Sequence, residues 1–356
     1  MNVAKNVTPM GPLASAPDDV LRDARADAEF TELGKLAVGG GPIGELTVAA
    51  SAVIVSSYSD NAVAVIDADG LTVRAVVALG GEPVATAAAD SRVYVGTTSA
   101  SHDSVSVVDA QTGTIAATYP VDLGITAVAV SRDGRRIFAG RSGRGRADIA
   151  ILDTAAGAVG AIDVAATPGV VVDTVRLSPE GRRLYAAVSD AHSSDLRVFD
   201  ADAAGLIATV PIGSPIRDLA VSPDGGTAYV LVSHPRSGGL IDVVDTRANR
   251  VKTTIAIGGV PMQMTLNADG TRAYVVDRDD VLVICTVTQQ IVATVRVGGP
   301  ASSVAASPHG GRLYVADYCG AVTMVGVAPA KTVPLFGAIA RELPRGAGVR
   351  ELQPAV

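Results

Sequence analysis

The sequence predicts an all-β fold: a seven-bladed β-propeller of four-stranded antiparallel blades, the last one closed by a strand from near the N-terminus. Three observations carry that prediction. One motif recurs along the chain, its internal pattern is that of strands rather than helices, and its final copy lacks a strand whose text stands at the opposite end.

The recurring motif is visible in AVSRDGRRIFAG (129 to 140), RLSPEGRRLYAA (176 to 187), AVSPDGGTAYVL (220 to 231), TLNADGTRAYVV (265 to 276) and AASPHGGRLYVA (305 to 316). Aligning these places Tyr94, Phe138, Tyr185, Tyr229, Tyr274 and Tyr314 at one position, with Ile54 as the seventh, at successive spacings of 40, 44, 47, 44, 45 and 40 residues. Strand-like repeats of this period are the range of propeller blades. Helical repeats of similar length are disfavoured by the β-branched alternation and the frequent Gly-rich turns.

Each repeat reads as four strands. Strand A is a short Ala/Val run, as in ITAVAVS (125 to 131) and IRDLAVS (216 to 222), and strand B bears the tyrosine. Strand C ends on an aspartate at Asp67, Asp109, Asp153, Asp200 and Asp245, and strand D follows the pattern of IVATVRVGG (291 to 299). Asp-Gly or Glu-Gly at 133/134, 180/181, 224/225 and 269/270 supplies the positive φ of a tight hairpin between A and B. The strand C aspartates are expected to accept N–H groups of the following turn, an architectural role, because one recurs per blade. Ala87, Ala88, Ala89, Ala127, Ala129, Ala220, Ala305 and Ala306 fit the crowded inner strand, where blades converge on the axis.

The seventh repeat has strand A at 300 to 307, B at 312 to 317 and C at 321 to 327, but APAKTVPLFG after it does not match strand D. GKLAVGGGP (34 to 42) does, so residues 31 to 38 are predicted to complete the last blade and close the ring. The organisation is then an N-terminal extension (1 to 30), a propeller (31 to 330) and a C-terminal tail (331 to 356), with short helices expected over 17 to 30 and 334 to 343.

Bulk properties narrow the function. A formal charge of -7 opposes phosphate-backbone binding, so nucleic acid is not an expected partner. No run of about 18 apolar residues suggests a membrane span, and the N-terminus lacks the apolar stretch of a signal peptide. A cytoplasmic location is the default expectation, with secretion or the cell surface if a leader has been removed. Arg-over-Lys usage with abundant Ala, Gly and Val is the composition of a high-GC, actinobacterial-like genome, which makes the sequon Asn6-Val7-Thr8 a chance match. Two cysteines, Cys285 and Cys319, make no disulfide framework, and their redox state is open.

No catalytic motif stands out. Gly39, Gly41 and Gly44 spell G-x-G-x-x-G, yet Pro42 and β-like text follow where a dinucleotide loop needs a helix. The same VGG-x-P text recurs between strands D and A of other blades, so the glycines belong to a connection. G-x-S-x-G, P-loop, H-E-x-x-H and C-x-x-C patterns are all absent, and no cofactor is expected. Loop variety instead selects the face formed by the B-to-C and D-to-A connections. That face collects His102, His192, His234, Arg141, Arg144, Arg146, Arg236, Asp103, Asp190, Asp279 and Asp280. Its arginines offer paired donors for a carboxylate or phosphate, and the ligand set favoured is His102, Arg141, Arg144, Arg146, His192, His234, Arg236 and Asp279. The histidines come from three different repeats, so no metal site is expected among them.

The text SPDG-x-x-[AL]-Y-V, V-x-V-[IV]-D and V-x-x-T-[IV]-x-[IV]-G resembles the YVTN family of propeller repeats over residues 33 to 327. Tyr-Val survives at Tyr94-Val95, Tyr229-Val230, Tyr274-Val275 and Tyr314-Val315. Blades three and four have Phe138-Ala139 and Tyr185-Ala186 instead. The resemblance implies the fold and leaves function open between surface-layer proteins, binding scaffolds and lactone hydrolases. The expectation is a non-enzymatic propeller that presents the loop-rich face to a protein or small anionic ligand. The rival is a lactonase-like hydrolase at the mouth of the central channel.

Overall fold

The computed structural model describes residues 30–39, 41–122, 124–143 and 145–328. Its 28 strands form seven four-stranded antiparallel sheets. Blade 1 comprises β2 (Ile43–Ala49), β3 (Ala52–Ser57), β4 (Ala62–Asp67) and β5 (Val73–Ala78). Blade 2 is β6 (Glu82–Ala89) to β9 (Thr114–Val121), and blade 3 is β10 (Gly124–Val130), β11 (Arg136–Gly143), β12 (Arg146–Asp153) and β13 (Gly157–Ala165). Blade 4 opens with β14 (Val171–Leu177), blade 5 with β18 (Ile216–Val221), blade 6 with β22 (Pro261–Leu266), and blade 7 with β26 (Ala301–Ala306). In each, the first strand is innermost and packs against the first strand of the next blade, β26 against β2 included.

The predicted closure holds. Strand β1 (Phe30–Ala37) pairs antiparallel with β28 (Ala321–Val327), so the fourth strand of blade 7 comes from the other end of the chain. Lys35 reaches Asp317 at 3.0 Å and fastens the added strand to its blade. The helices expected over 17 to 30 and 334 to 343 lie outside the described residues.

The core is divided among the blade junctions. Seven clusters of buried side chains each straddle two neighbouring blades, for example Tyr94, Val105 and Val107 of blade 2 against Ile137, Ala139 and Leu152 of blade 3. Both faces of every sheet are therefore covered, which explains near-continuous burial along strands B and C. Strand D is outermost and mostly exposed, as in β9. Two strand B tyrosines stitch blade to blade: Tyr94 donates to the Gly134 carbonyl at 2.9 Å and Tyr314 to the Ala68 carbonyl at 2.7 Å.

The strand C aspartates do what their recurrence predicts. Each accepts two backbone N–H groups of the turn that follows, as Asp109 does from Gln111 and Thr112, both at 2.9 Å. Those bonds hold its carboxyl below the ordinary value. In blade 6, Cys285 takes over this role with its sulfur, accepting the Thr288 N–H at 3.4 Å. Cys285 and Cys319 are both free thiols.

One expected loop is strand. Arg141↔Asp148, Ser142↔Ala147 and Gly143↔Arg146 extend the hairpin of β11 and β12 into the segment read as RSGRGRAD. Gly143 and Gly145, with φ of 153° and 79°, permit the tight reversal that the arginines disguise.

Candidate functional site

The predicted residues of the loop-rich face stand in separate turns of several blades. His102 is exposed and its Nδ1 lies 3.0 Å from Ser101 Oγ, within its own loop. His192 is exposed, and its backbone N–H is held by Asp190. His234 is half-buried, its Nδ1 accepting the N–H groups of Arg236 and Ser237 at 3.2 and 3.0 Å, so it caps its own turn. Arg236 and Asp279 are exposed, and Arg144 lies outside the described residues. These positions belong to blades 2, 4, 5 and 6. No group of three or more His, Cys, Asp or Glu side chains among the described residues stands ready for a metal ion.

Among the described residues, Arg141 and Arg146 share one partner, Asp148. Arg141 Nε donates to one carboxylate oxygen at 2.7 Å and Arg146 Nη2 to the other at 2.6 Å. Asp148 is fully buried and Arg141 nearly so. Asp103 is likewise occupied, accepting N–H groups from Ser99 and, across the junction, from Ile125.

The central channel holds a different set. It encloses a cavity of about 500 Å³ whose wall is the seven innermost strands. Its length runs from Glu45 and Gln263 to the A-to-B turns at Pro179, Pro223 and Asn267. Alanines 87, 88, 129, 220, 305 and 306 line much of it, as their small volume leads one to expect. The opening at those turns is on the face opposite the varied loops. A second hollow on that same face, lined by Ala50, Asp90, His309 and Arg312, shares Val48 and Ala88 with the channel.

The polar wall of the channel follows from one feature of the inner strand. Every A-to-B pairing breaks register near the start of strand A, between Ile43 and Leu46 in blade 1 and between Ile216 and Asp218 in blade 5. The bulge re-aims the next side chain toward the neighbouring blade. Counting back two residues from the partner of the strand B tyrosine, that position holds Glu45, Ala85, Ala127, Thr174, Asp218, Gln263 and Ser303. Four of its five polar copies clasp the next blade; at Thr174 the facing Leu219 N–H is taken instead by Asp218. Ser303 Oγ accepts the Leu46 N–H at 3.0 Å and Glu45 Oε2 the Thr86 N–H at 2.5 Å. Asp218 Oδ2 accepts the Met264 N–H at 3.0 Å and Gln263 Oε1 the Val304 N–H at 2.7 Å.

Two of these residues carry charge on to Arg176, on blade 4. Its Nη2 donates to Asp218 Oδ1 at 2.9 Å and its Nη1 to the Val175 carbonyl at 3.0 Å. Glu45 also accepts the Thr86 hydroxyl at 3.0 Å, again on Oε2. Burial pushes the Glu45 carboxyl up to about 7, with Arg176 opposing and Asp218 adding to the rise. A carboxyl poised near neutrality inside a cavity is a mark of functional sites. Sequence reasoning missed Glu45, Arg176, Asp218 and Gln263. The signal was there: a column of polar residues inside strands otherwise made of Ala and Val.

No protein-family profile matches the chain. Among solved structures it is similar to hydrazine synthase of Kuenenia stuttgartiensis, with a TM-score of 0.72 and 22% identity over 83% of this chain and 98% of that one, a likeness of fold alone. Among curated proteins it is 34% identical to the seven-bladed beta-propeller protein Rv1057 of Mycobacterium tuberculosis, covering 87% of this chain and 90% of that protein. With seven blades, a closing N-terminal strand and that degree of identity along most of both chains, the protein belongs to the family of the seven-bladed β-propeller Rv1057.

Proposed function

We propose that the chain is a non-enzymatic binding propeller, built from YVTN-type repeats, whose ligand site is the central channel. The observation that carries this reading is the channel's division of labour. A polar end formed by Glu45, Thr86, Arg176 and Gln263 meets walls of small alanines and valines, interrupted by Thr47 and Thr265, in a cavity of about 500 Å³, a volume suited to a small molecule. The loop-rich face is the weaker candidate for an anion, because Arg141 and Arg146 are both engaged by Asp148.

The test is a ligand-observed NMR screen of a small-molecule library against the wild-type protein and an Ala87→Leu/Ala220→Leu double variant, which narrows the channel from two sides. Compounds should bind the wild type and lose contact with the narrowed variant. Hits that bind both equally would place the site elsewhere.

A second reading is favoured by one observation, the Glu45 carboxyl titrating near neutrality, which suits a general base for lactone hydrolysis. Turnover of a lactone panel by the wild type and its disappearance in Glu45→Gln would establish that reading over simple binding.

A further inference from the structure

We infer that the channel takes a small aliphatic ammonium ion, its cationic head against Glu45 and its apolar tail along the alanine and valine walls toward the turns at Pro179 and Pro223. The inference rests on the channel being the ligand site and adds the class of ligand.

Charge bookkeeping at the polar end selects the head group. Arg176 is answered by Asp218 at 2.9 Å, and Asp218 is further satisfied by the Leu219 and Met264 N–H groups at 2.7 and 3.0 Å. That pair is neutral, so it offers an anion little. Glu45 has no ion pair among the described residues. Both hydrogen bonds to its carboxylate, from the Thr86 N–H and hydroxyl, fall on Oε2, and Oε1 carries none among the described residues. A half-buried carboxylate without an ion pair is stabilised by a proton or by a cation. An ammonium head supplies charge and N–H donors together, and Oε1 is the acceptor it meets.

The other groups around Glu45 agree with this choice. Ser303 on β26 and Thr86 on β6 are neutral, Gln263 on β22 is an amide, and the Arg176–Asp218 pair stands on β14 and β18. Tyr58, in the turn after β3, is the remaining titratable neighbour, and Glu45 helps to hold its hydroxyl above the ordinary value, so it stays protonated and uncharged at neutral pH. Below the polar end, Val48, Ala87, Ala88, Ala129, Val130 and Ala220 form an apolar stretch of wall, interrupted by the side chains of Thr47 and Thr265. The alanine and valine stretch is the part of that wall that suits a short tail.

The experiment compares three probes that share a tail and differ in the head: hexylammonium, hexanol and hexanoate. Binding to the full-length protein is measured by calorimetry at about pH 5.5 and about pH 8, with Glu45→Gln alongside. The alkylammonium stays charged throughout, so its affinity follows the ionised fraction of Glu45 and should rise by about 30-fold between those conditions for a carboxyl titrating near 7. Glu45→Gln, which keeps an oxygen for the Thr86 N–H, should bind the ammonium at least about 10-fold more weakly and lose the pH dependence. Hexanoate or hexanol binding as well as hexylammonium, or a pH-independent ammonium affinity, would overturn the cation assignment and leave the channel as the site. If none of the three probes binds the wild type at either pH, the channel reading itself falls, and this inference with it. The pH comparison on the wild type stands even if the variant fails to fold.

Discussion

Two carboxylates of the ring, buried Asp148 in blade 3 and half-buried Glu45 in blade 1, have opposite surroundings. Asp148 is fully buried between two guanidinium groups at 2.7 and 2.6 Å, so its charge is answered from both sides. Glu45 has only neutral hydrogen bonds from Thr86 in direct contact, while Arg176 acts on it from across the channel, and its carboxyl rises to about 7. The contrast separates fastening from function: a charge whose partners are all in place locks a hairpin, whereas a charge lacking one can respond to a ligand or a proton.

Breaking the fastened carboxylate should have the largest effect. Asp148→Ala leaves Arg141 buried without its acceptor, and losing one member of a buried ion pair costs roughly 3–5 kcal/mol. Chemical denaturation would read this as a lower midpoint, and an unchanged midpoint would remove the structural role assigned to the pair. The two arginines sharpen the point. Arg141→Ala should cost roughly 2–4 kcal/mol because its side chain is only 10% exposed, while Arg146→Ala, 53% exposed, should cost about 1 kcal/mol or less. Equal losses would show that burial does not set the strength of these two bonds.

The same contrast explains what the sequence could and could not disclose. Blade number, strand order and the swapped closing strand were legible because they depend on periodicity, as the 40 to 47 residue spacing of Tyr94 to Tyr314 and the D-like text of GKLAVGGGP show. The strand C aspartates were legible for the same reason, since a role repeated at Asp67, Asp109, Asp153, Asp200 and Asp245 writes itself several times. Glu45 was harder to read, because the polar column it belongs to changes residue from blade to blade and its partners Thr86, Arg176 and Asp218 lie on blades 2, 4 and 5. The arginine-rich segment misled for a converse reason. Residues 141 to 148 look like an open loop in one dimension, and only the pairing of Arg141 with Asp148 across a hairpin shows the charges spent.

For Glu45 the expected response is to pH. Its folded carboxyl titrates near 7, above the ordinary value of 4.5, so the folded state favours the protonated form. The stability this confers is complete below the unfolded value and is lost as pH rises through the window from about 4.5 to about 7. The melting temperature of the wild type should therefore fall across that window relative to Glu45→Gln, which cannot ionise. Parallel profiles for the two proteins would mean that channel water solvates the carboxylate well enough to erase the shift.

The smallest effect concerns junctions where the clasp is missing. Ala85 occupies the position held by Glu45, Gln263 and Ser303 in other blades, but a methyl group accepts nothing from blade 3. Ser303 shows that a hydroxyl can reach, since its Oγ takes the Leu46 N–H at 3.0 Å, whereas Thr174 is denied the same bond because Asp218 takes the Leu219 N–H. Ala85→Ser should therefore add a hydrogen bond between blades 2 and 3 and stabilise the ring by about 0.5–1 kcal/mol, seen as a raised denaturation midpoint. Ala85 is buried, so a serine that failed to reach blade 3 would leave its hydroxyl unsatisfied and lower the midpoint instead. The sign of this one change thus decides whether the bulged position of strand A is a general clasp site, with Glu45 as the copy whose charge was left uncompensated.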